Sequence, residues 1–134
     1  MSESQKHLIL VRALADYISK KYLKGEAKLL QIDSAGQQAK PPAVGSFIPD
    51  AYFYYSVDDF LIIGEAKTDI DLEAQHSYQQ IETFIQHCAA HRKGILVLAV
   101  PWFMIPFSRG LVRSICVKHN IKELMLEVIE RLPG

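Results

Sequence analysis

Three charged side chains at the ends of two neighbouring apolar stretches could together perform metal-dependent chemistry. Asp50 follows Pro49 in the stretch SFIPDAYFYY, and Glu65 and Lys67 end the stretch FLIIGEAKT with one residue between them. Because side chains alternate along a strand, we expect Glu65 and Lys67 on one side of it and Ala66 on the other. Two carboxylates beside an ammonium are a minimal set for holding a divalent cation next to a phosphodiester.

Oxygen ligands of this kind suit Mg²⁺ or Mn²⁺, which typically takes one or two carboxylates and keeps several waters. Asp50 and Glu65 would supply the carboxylates, and the backbone carbonyl of Ala66 could reach the same ion. The ion would lower the pKa of a bound water, and Lys67 would orient that water or stabilise an anionic transition state. Taken singly, each residue also fits a structural role, as a turn aspartate or as a salt bridge at a strand end.

The elements that must position these residues follow from hydrophobic periodicity and from turn residues. The first is an amphipathic helix, and the segment between the first two strands is a loop rich in Gly and Pro. The predicted bounds are helix 4–24, strand 27–33, loop 34–45, strands 46–57 and 60–67, helix 71–93, strand 94–101 and helix 107–119. The tail, residues 121–132, fits either a helix or a last strand. Three strands joined by short links and a crossover helix predict an α/β fold with a mixed sheet flanked by helices.

The residues IPD and then GEAK, on consecutive strands after a first helix, resemble the PD-(D/E)XK nuclease superfamily. The superfamily's core order, α-β-β-β-α-β, matches the predicted order over roughly residues 5–100, within one predicted domain. The resemblance implies a restriction-endonuclease-like fold and a metal-dependent nuclease that hydrolyses phosphodiester bonds in DNA, either internally or from an end. Asp50 and Glu65 would bind Mg²⁺ or Mn²⁺, and Lys67 would be the catalytic cation.

A further element of the resemblance lies on the helix after the lysine. The segment QIETF, beginning at Gln80, is similar to the QxxxY motif of the RecB-type exonuclease branch, with Phe84 in place of tyrosine. By that resemblance Gln80 faces the site and contacts substrate, a water or a metal ligand. His76 lies one turn earlier on the same helix face. Many members carry another acid on the first helix, for which Glu3 and Asp16 are the candidates, and neither stands out.

Two alternatives remain beside the nuclease. The domain could be a catalytically inactive nuclease fold that binds nucleic acid or a protein partner, or an α/β protein whose acids are purely structural. The formal net charge of zero over 134 residues argues mildly against a dedicated nucleic-acid binder. A homodimer would help so small a chain to hold a duplex. Basic residues do cluster locally, at Lys20, Lys21 and Lys24, at Arg92 and Lys93, and at Arg109, Arg113 and Lys118.

The sequence also predicts a cytoplasmic protein. The start MSESQKHLILV lacks the layout of a signal peptide, and the apolar run 94–107 is too short to span a bilayer and contains two prolines. The two cysteines, Cys88 and Cys116, form no spaced motif and are expected to be reduced thiols.

Two smaller groups of residues have a structural and a functional interpretation. His87 and His91 have a spacing that could bind zinc, although a partly exposed helix end explains them better. The aromatic residues 52–55, together with Trp102 and Phe103, could stack on nucleobases. Core packing is the favoured interpretation, although the position of Trp102 and Phe103 after a buried strand leaves room for an exposed loop.

Overall fold

A five-stranded mixed sheet with helices on both faces forms the centre of the molecule. The computed structural model describes residues 2–33, 40–72 and 74–130. The strands are β1 (Gln31–Ile32), β2 (Ala51–Tyr55), β3 (Phe60–Ala66), β4 (Lys93–Val100) and β5 (Met125–Glu130). The α-helices are α1 (Glu3–Tyr22), α2 (Asp69–Leu72), α3 (Gln75–Ala89) and α4 (Ile105–Lys118). None of the helices in these ranges combines the length and the apolar content that crossing a membrane requires.

The strands lie side by side in sequence order, β1-β2-β3-β4-β5. The first three pair antiparallel as a meander, and β3 and β4, which α2 and α3 connect, pair parallel. The predicted α/β fold with a mixed sheet is therefore confirmed. The parallel pairing of β3 and β4 matters for function because it brings the carboxyl ends of both strands to one edge of the sheet.

The tail forms the strand β5, parallel to β4, so the helical alternative for residues 121–132 is wrong. The side chains of this segment alternate between the two faces of the sheet, as those of a strand do. Leu126 and Val128 pack on the α3 face and Ile129 packs on the α1 face. The apolar residues of this segment satisfy both a period of 2 and a period of 3.6, and pairing with β4 selects the first. Residues 131–134 lie outside the described ranges.

Several helices and strands begin or end at residues other than those predicted. The first predicted strand becomes a 3₁₀ turn, Ala27–Leu29, followed by the two residues of β1, and the predicted helix 71–93 divides into α2 and α3. The predicted strand 46–57 begins only at Ala51, so Asp50 precedes the ladder instead of lying within it. In the predicted loop 34–45, residues 34–39 lie outside the described part, and Val44 forms an isolated bridge with Phe47.

Helix α1 packs very closely on β3, and Gly64 makes this approach possible. Leu14 and Ile18 of α1 are completely buried. A Cβ atom at Gly64 would lie 2.9 Å from Cδ1 of Ile18 and 3.1 Å from Cβ of Ala51. The glycine therefore sets the distance between α1 and the sheet immediately before Glu65.

On the opposite face, α3 and α4 cover a second apolar core with Ile81, Phe84 and Ile115 completely buried. Cys88 belongs to this core, where burial raises the pKa of its thiol to about 12. Both cysteines are free, and Cys88 is a packing residue. The Sγ atom of Cys88 lies 3.7 Å from the carbonyl oxygen of Ile95, and His91 is hydrogen-bonded to Asp59, so neither is directed to a zinc ion.

Asp59 connects the β2–β3 turn to the start of β4 through hydrogen bonds, at the end of the sheet that is remote from Glu65. Its Oδ1 accepts hydrogen bonds from the hydroxyl of Tyr54 (3.0 Å) and from Nδ1 of His91 (2.7 Å), and its Oδ2 accepts from the backbone amide of Arg92 (2.6 Å). The amide of Arg92 is the largest cause that lowers the pKa of Asp59 to about 2. Asp59 also adopts a left-handed backbone conformation, φ +50°, which aspartate tolerates better than most residues.

We expect Asp59→Asn to lower the midpoint of thermal unfolding, and the loss to depend on pH. Because the pKa of Asp59 is lower in the folded protein than its ordinary 3.8, its anion stabilises the fold fully above about pH 4. This contribution disappears as the pH falls through about 2. Melting curves between pH 2 and pH 6 should show the variant and the wild type converging in acid, with exposed Asp58→Asn as the matched control. Identical profiles for the two variants would contradict the role of Asp59.

Candidate functional site

The predicted carboxylates meet where β2 begins and β3 ends. Pro49 has no amide hydrogen to give to a ladder, and Asp50 follows it directly before Ala51, which pairs with Gly64 as the first residue of β2. The backbone amide of Asp50 donates to Oε1 of Glu65 (3.0 Å), and the amide of Ala66 donates to Oδ2 of Asp50 (2.8 Å). Asp50 is 8% exposed and Glu65 is 2% exposed. Two carboxylates are thus held side by side in a buried position.

Lys67 and Gln80 complete the cluster from the α3 side of the sheet. The Nζ atom of Lys67 lies 3.2 Å from Oε2 of Glu65 and donates a hydrogen bond to Oε1 of Gln80. Both side chains are 8% exposed. Ile81 and Phe84 anchor α3 in the core, and this packing directs Gln80 toward the sheet. The structure therefore brings all four predicted catalytic side chains into one chain of contacts.

Helix α1 contributes His7, which the sequence analysis missed. Its Nε2 lies 3.3 Å from Oδ2 of Asp50, and the side chain is 39% exposed. Its place in the sequence could have indicated this role. His7 continues the apolar stripe of Leu10, Leu14 and Ile18 at helical spacing toward the start of the helix, and these three residues are buried. A polar residue in such a stripe, near a predicted site, is a candidate for a role there.

Of the two acids considered on the first helix, Asp16 does not join the cluster. Asp16 is exposed and forms a surface ion pair with Lys20, at 3.1 Å. Glu3 is the first residue of α1, and its side chain lies outside the described part of the structure. His76 is exposed and packs its ring edge-to-face on Phe47, with 5.3 Å between ring centroids. Helix α1 therefore reaches the predicted carboxylates through an imidazole.

The two carboxyl groups differ in their affinity for a proton. Burial is the largest cause that raises the pKa of Glu65 well above its ordinary value, and the charge of Asp50 adds to it, although Lys67 opposes both. Burial also acts to raise the pKa of Asp50, but hydrogen bonds from His7, from the amide of Ala66 and from Glu65 outweigh it and lower that pKa. Asp50 is therefore the anion of the pair, and Glu65 is the group that retains a proton more readily.

The charge of Asp50 also acts on the histidine. Its hydrogen bond to Asp50 is the largest cause that raises the pKa of His7, and the charge of Asp71 in α2 acts in the same direction. Asp71 is therefore a further acid near the cluster that the sequence analysis did not single out. A cation that bound among these groups would displace protons from the carboxyl pair and from the histidine into the solvent.

The donors present fit a divalent cation by their chemistry. Within residues 2–33, 40–72 and 74–130, no three His, Cys, Asp or Glu side chains already surround a common point. Asp50 and Glu65 nevertheless offer adjacent carboxylate oxygens, which are the ligands that Mg²⁺ and Mn²⁺ prefer. A cation between them would offset the crowding that raises the pKa of Glu65. Ala66, whose carbonyl was predicted to take part, is fully buried at the same strand end.

Phe84 occupies the position that the resemblance assigns to a tyrosine, and it is part of the core. It is completely buried and packs edge-to-face on Phe47, with ring centroids 6.4 Å apart. A hydroxyl group at this position would have to find a partner inside an apolar cluster. The helix therefore keeps only Gln80 of the two motif residues in contact with the site.

Comparisons with protein-family models, with curated proteins and with solved structures find no significant match to this chain.

Proposed function

We propose that this protein is a cytoplasmic, metal-dependent nuclease of the restriction-endonuclease-like fold, which hydrolyses phosphodiester bonds in DNA. One observation carries the proposal: the ammonium of Lys67 contacts both Glu65 and Gln80 beside the buried pair of Asp50 and Glu65. The element order and the motif residues IPD and GEAK support the same conclusion. A structural ion pair alone would not require two adjacent buried carboxylates, because each costs free energy to bury.

Asp50 and Glu65 would hold the divalent cation, with the carbonyl of Ala66 as a further donor. Mg²⁺ or Mn²⁺ bound there would activate a water as nucleophile and would stabilise charge on the phosphate. The hydrogen bond from the Ala66 amide fixes the orientation of Asp50, as does the contact with His7. Such outer contacts commonly orient the ligands of metal sites.

Lys67 would act on the phosphate and on the attacking water. Its ammonium is a fixed positive charge in a site that is largely shielded from solvent, where it stabilises developing negative charge more strongly than it would in water. Glu65 and Gln80 hold it from two sides, so little reorganisation is needed when the charge develops. Gln80 is thus a positioning residue, since it acts through Lys67.

Asp50→Asn should abolish most of the cleavage that the wild type performs with Mg²⁺ or Mn²⁺, lowering the rate by about 10²-fold or more. Supercoiled, linear and branched DNA would be incubated with each protein, with metal or with a chelator, and the products separated on gels. Asp16→Asn is the matched control, because it makes the same change on the exposed face of α1. Unchanged cleavage by Asp50→Asn would contradict the assignment of the site.

Absence of cleavage by the folded, metal-supplied wild type would favour the inactive binding module. Calorimetry with Mn²⁺ separates this outcome from the nuclease, because the nuclease must bind the ion and Asp50→Asn must weaken that binding. A sizing column would show whether two copies associate, since a homodimer would present two sites to one duplex.

A further inference from the structure

Two aromatic side chains project from the sheet edge that carries the candidate site. Trp102 is 55% exposed and Phe103 is 52% exposed, so the expectation that they pack in the core is wrong. Their rings are in T-shaped contact, with centroids 5.8 Å apart and an interplanar angle of 87°. They lie in a 3₁₀ turn, Trp102–Met104, in which Met104 alone enters the core. Adjacent exposed aromatic rings are a common sign of a binding surface.

The chain itself limits how far these rings are from the site. Ala99 of β4 pairs with Ala66 of β3, and its carbonyl oxygen accepts a hydrogen bond from the amide of Lys67 at 3.0 Å. Trp102 follows Ala99 by three residues, which span at most about 11 Å. Adding about 4.8 Å between neighbouring strands, the Cα atom of Trp102 lies within about 16 Å of the Cα atom of Ala66.

The turn and the catalytic candidates also share one side of the sheet. Met104 packs in the core that contains Phe84 of α3. Lys67 is directed to this same side, because it contacts Gln80 of α3. The 3₁₀ turn that carries Trp102 and Phe103 therefore packs, through Met104, on the sheet face that carries Lys67 and Gln80.

Helix α4, which begins two residues after Phe103, adds positive charge. Arg109 and Arg113 are exposed and one turn apart, so their side chains lie on one helix face. Within the described ranges, neither arginine forms an ion pair with an acidic side chain. Among the other cations of the predicted basic clusters, Lys20, Lys21 and Lys118 each pair with a carboxylate, whereas Lys24, Arg92 and Lys93 form no ion pair within the described ranges.

We propose that Trp102, Phe103, Arg109 and Arg113 form an aromatic–basic surface that binds single-stranded DNA leading into the site. Unpaired bases stack on the two rings, and the arginines contact phosphates of the same strand. This inference rests on the proposed nuclease function and gives its substrate class, a single strand or an unwound end. In a duplex the base faces already stack on each other, and a chain of zero net charge gains little from phosphates alone.

The test uses the protein's own tryptophan as reporter, because Trp102 is the only one in the chain. Full-length wild type in a chelator, which prevents metal-dependent cleavage, is titrated with a short oligothymidylate and with a duplex of equal length at the same salt concentration. We expect quenching of the tryptophan emission and at least about 10-fold tighter binding of the single strand. Equal affinity for both, or binding without quenching, would overturn the proposal.

Three variants locate the interaction, with binding followed by the anisotropy of a labelled oligonucleotide. Phe103→Ala should weaken single-strand binding by about 10-fold through lost stacking, and Arg109→Ala should reduce the slope of log affinity against log salt by about 1. Tyr55→Ala is the matched control, because Tyr55 is 49% exposed at the opposite edge of the sheet. Equal losses in Phe103→Ala and Tyr55→Ala would overturn the assignment.

The outcomes separate this inference from the proposed function. Single-strand binding in the chelator with no cleavage after metal is added would keep the aromatic–basic surface and refute the nuclease. Cleavage of duplex DNA without any preference for single strands would keep the nuclease and refute the surface. A tryptophan emission that shifts with protein concentration alone would show that a second copy covers the rings, which would also refute it.

Discussion

Replacing Lys67 by methionine should lower the rate of DNA cleavage by about 10²- to 10³-fold while the protein remains folded. Methionine fills a similar volume without a charge, so the transition state loses the cation that Glu65 and Gln80 hold in place. We expect the fold to tolerate the loss of the lysine charge. The charge of Lys67 lowers the pKa of Glu65, which burial and the charge of Asp50 raise. Without it, Glu65 takes up a proton more readily, and no unpaired charge has to remain buried.

Single-turnover cleavage with Mn²⁺ and thermal melting of the same samples would measure both parts of this prediction. Lys20→Met is the matched control, since Lys20 is 73% exposed and pairs only with Asp16 at the surface. Lys67→Arg should restore little activity, because the guanidinium is larger and planar and Lys67 is only 8% exposed between Glu65 and Gln80. Wild-type rates in Lys67→Met would show that the ammonium has a structural role alone.

Gly94→Ala should destabilise the fold by about 3 kcal/mol, because the added methyl group has no space at the start of β4. Its Cβ atom would lie 2.0 Å from the carbonyl oxygen of Cys88, which is a backbone atom in the last turn of α3. That oxygen also accepts a hydrogen bond from the amide of His91, at 3.2 Å, so it cannot move away without opening the turn before β4. At Gly64 the nearest atom is instead the end of the Ile18 side chain, which can adjust.

Urea unfolding would measure this effect, and Gly110→Ala provides the control. Gly110 lies within α4, and an added Cβ would meet no atom within 4 Å. Alanine is the better helix former, so Gly110→Ala should stabilise the protein by about 0.5–1 kcal/mol. If the two alanine variants unfolded at the same urea concentration, the close contact between Gly94 and Cys88 would be refuted.

The sequence predicted which polar side chains lie together better than it predicted the ends of the elements, for a physical reason. Spacing on one strand predicted that Glu65 and Lys67 share a side, and the contact between their side chains confirms it, whereas the predicted strand 46–57 wrongly included Asp50. His7 was not found because its position in the stripe of Leu10, Leu14 and Ile18 indicates the helix face that packs on the sheet, but not which strand end that face reaches. The apolar side chains of Trp102 and Phe103 indicated burial, although they end in a turn beyond the sheet.

The pairing of Asp50 with Glu65 lies within a hairpin, and this sets the order in which the site is assembled during synthesis. A hairpin closes in about 1–10 μs, whereas a ribosome adds about 5–20 residues per second. Gln80 follows Lys67 by thirteen residues, and β4 begins later still. At that rate Gln80 is added about 1–3 s after Lys67, and β4 is completed about 2–7 s after it. During that interval a proton on Glu65 relieves the repulsion between the two carboxylates, and the proposed cation would relieve it as well, so we expect metal supply to affect the yield of folded protein.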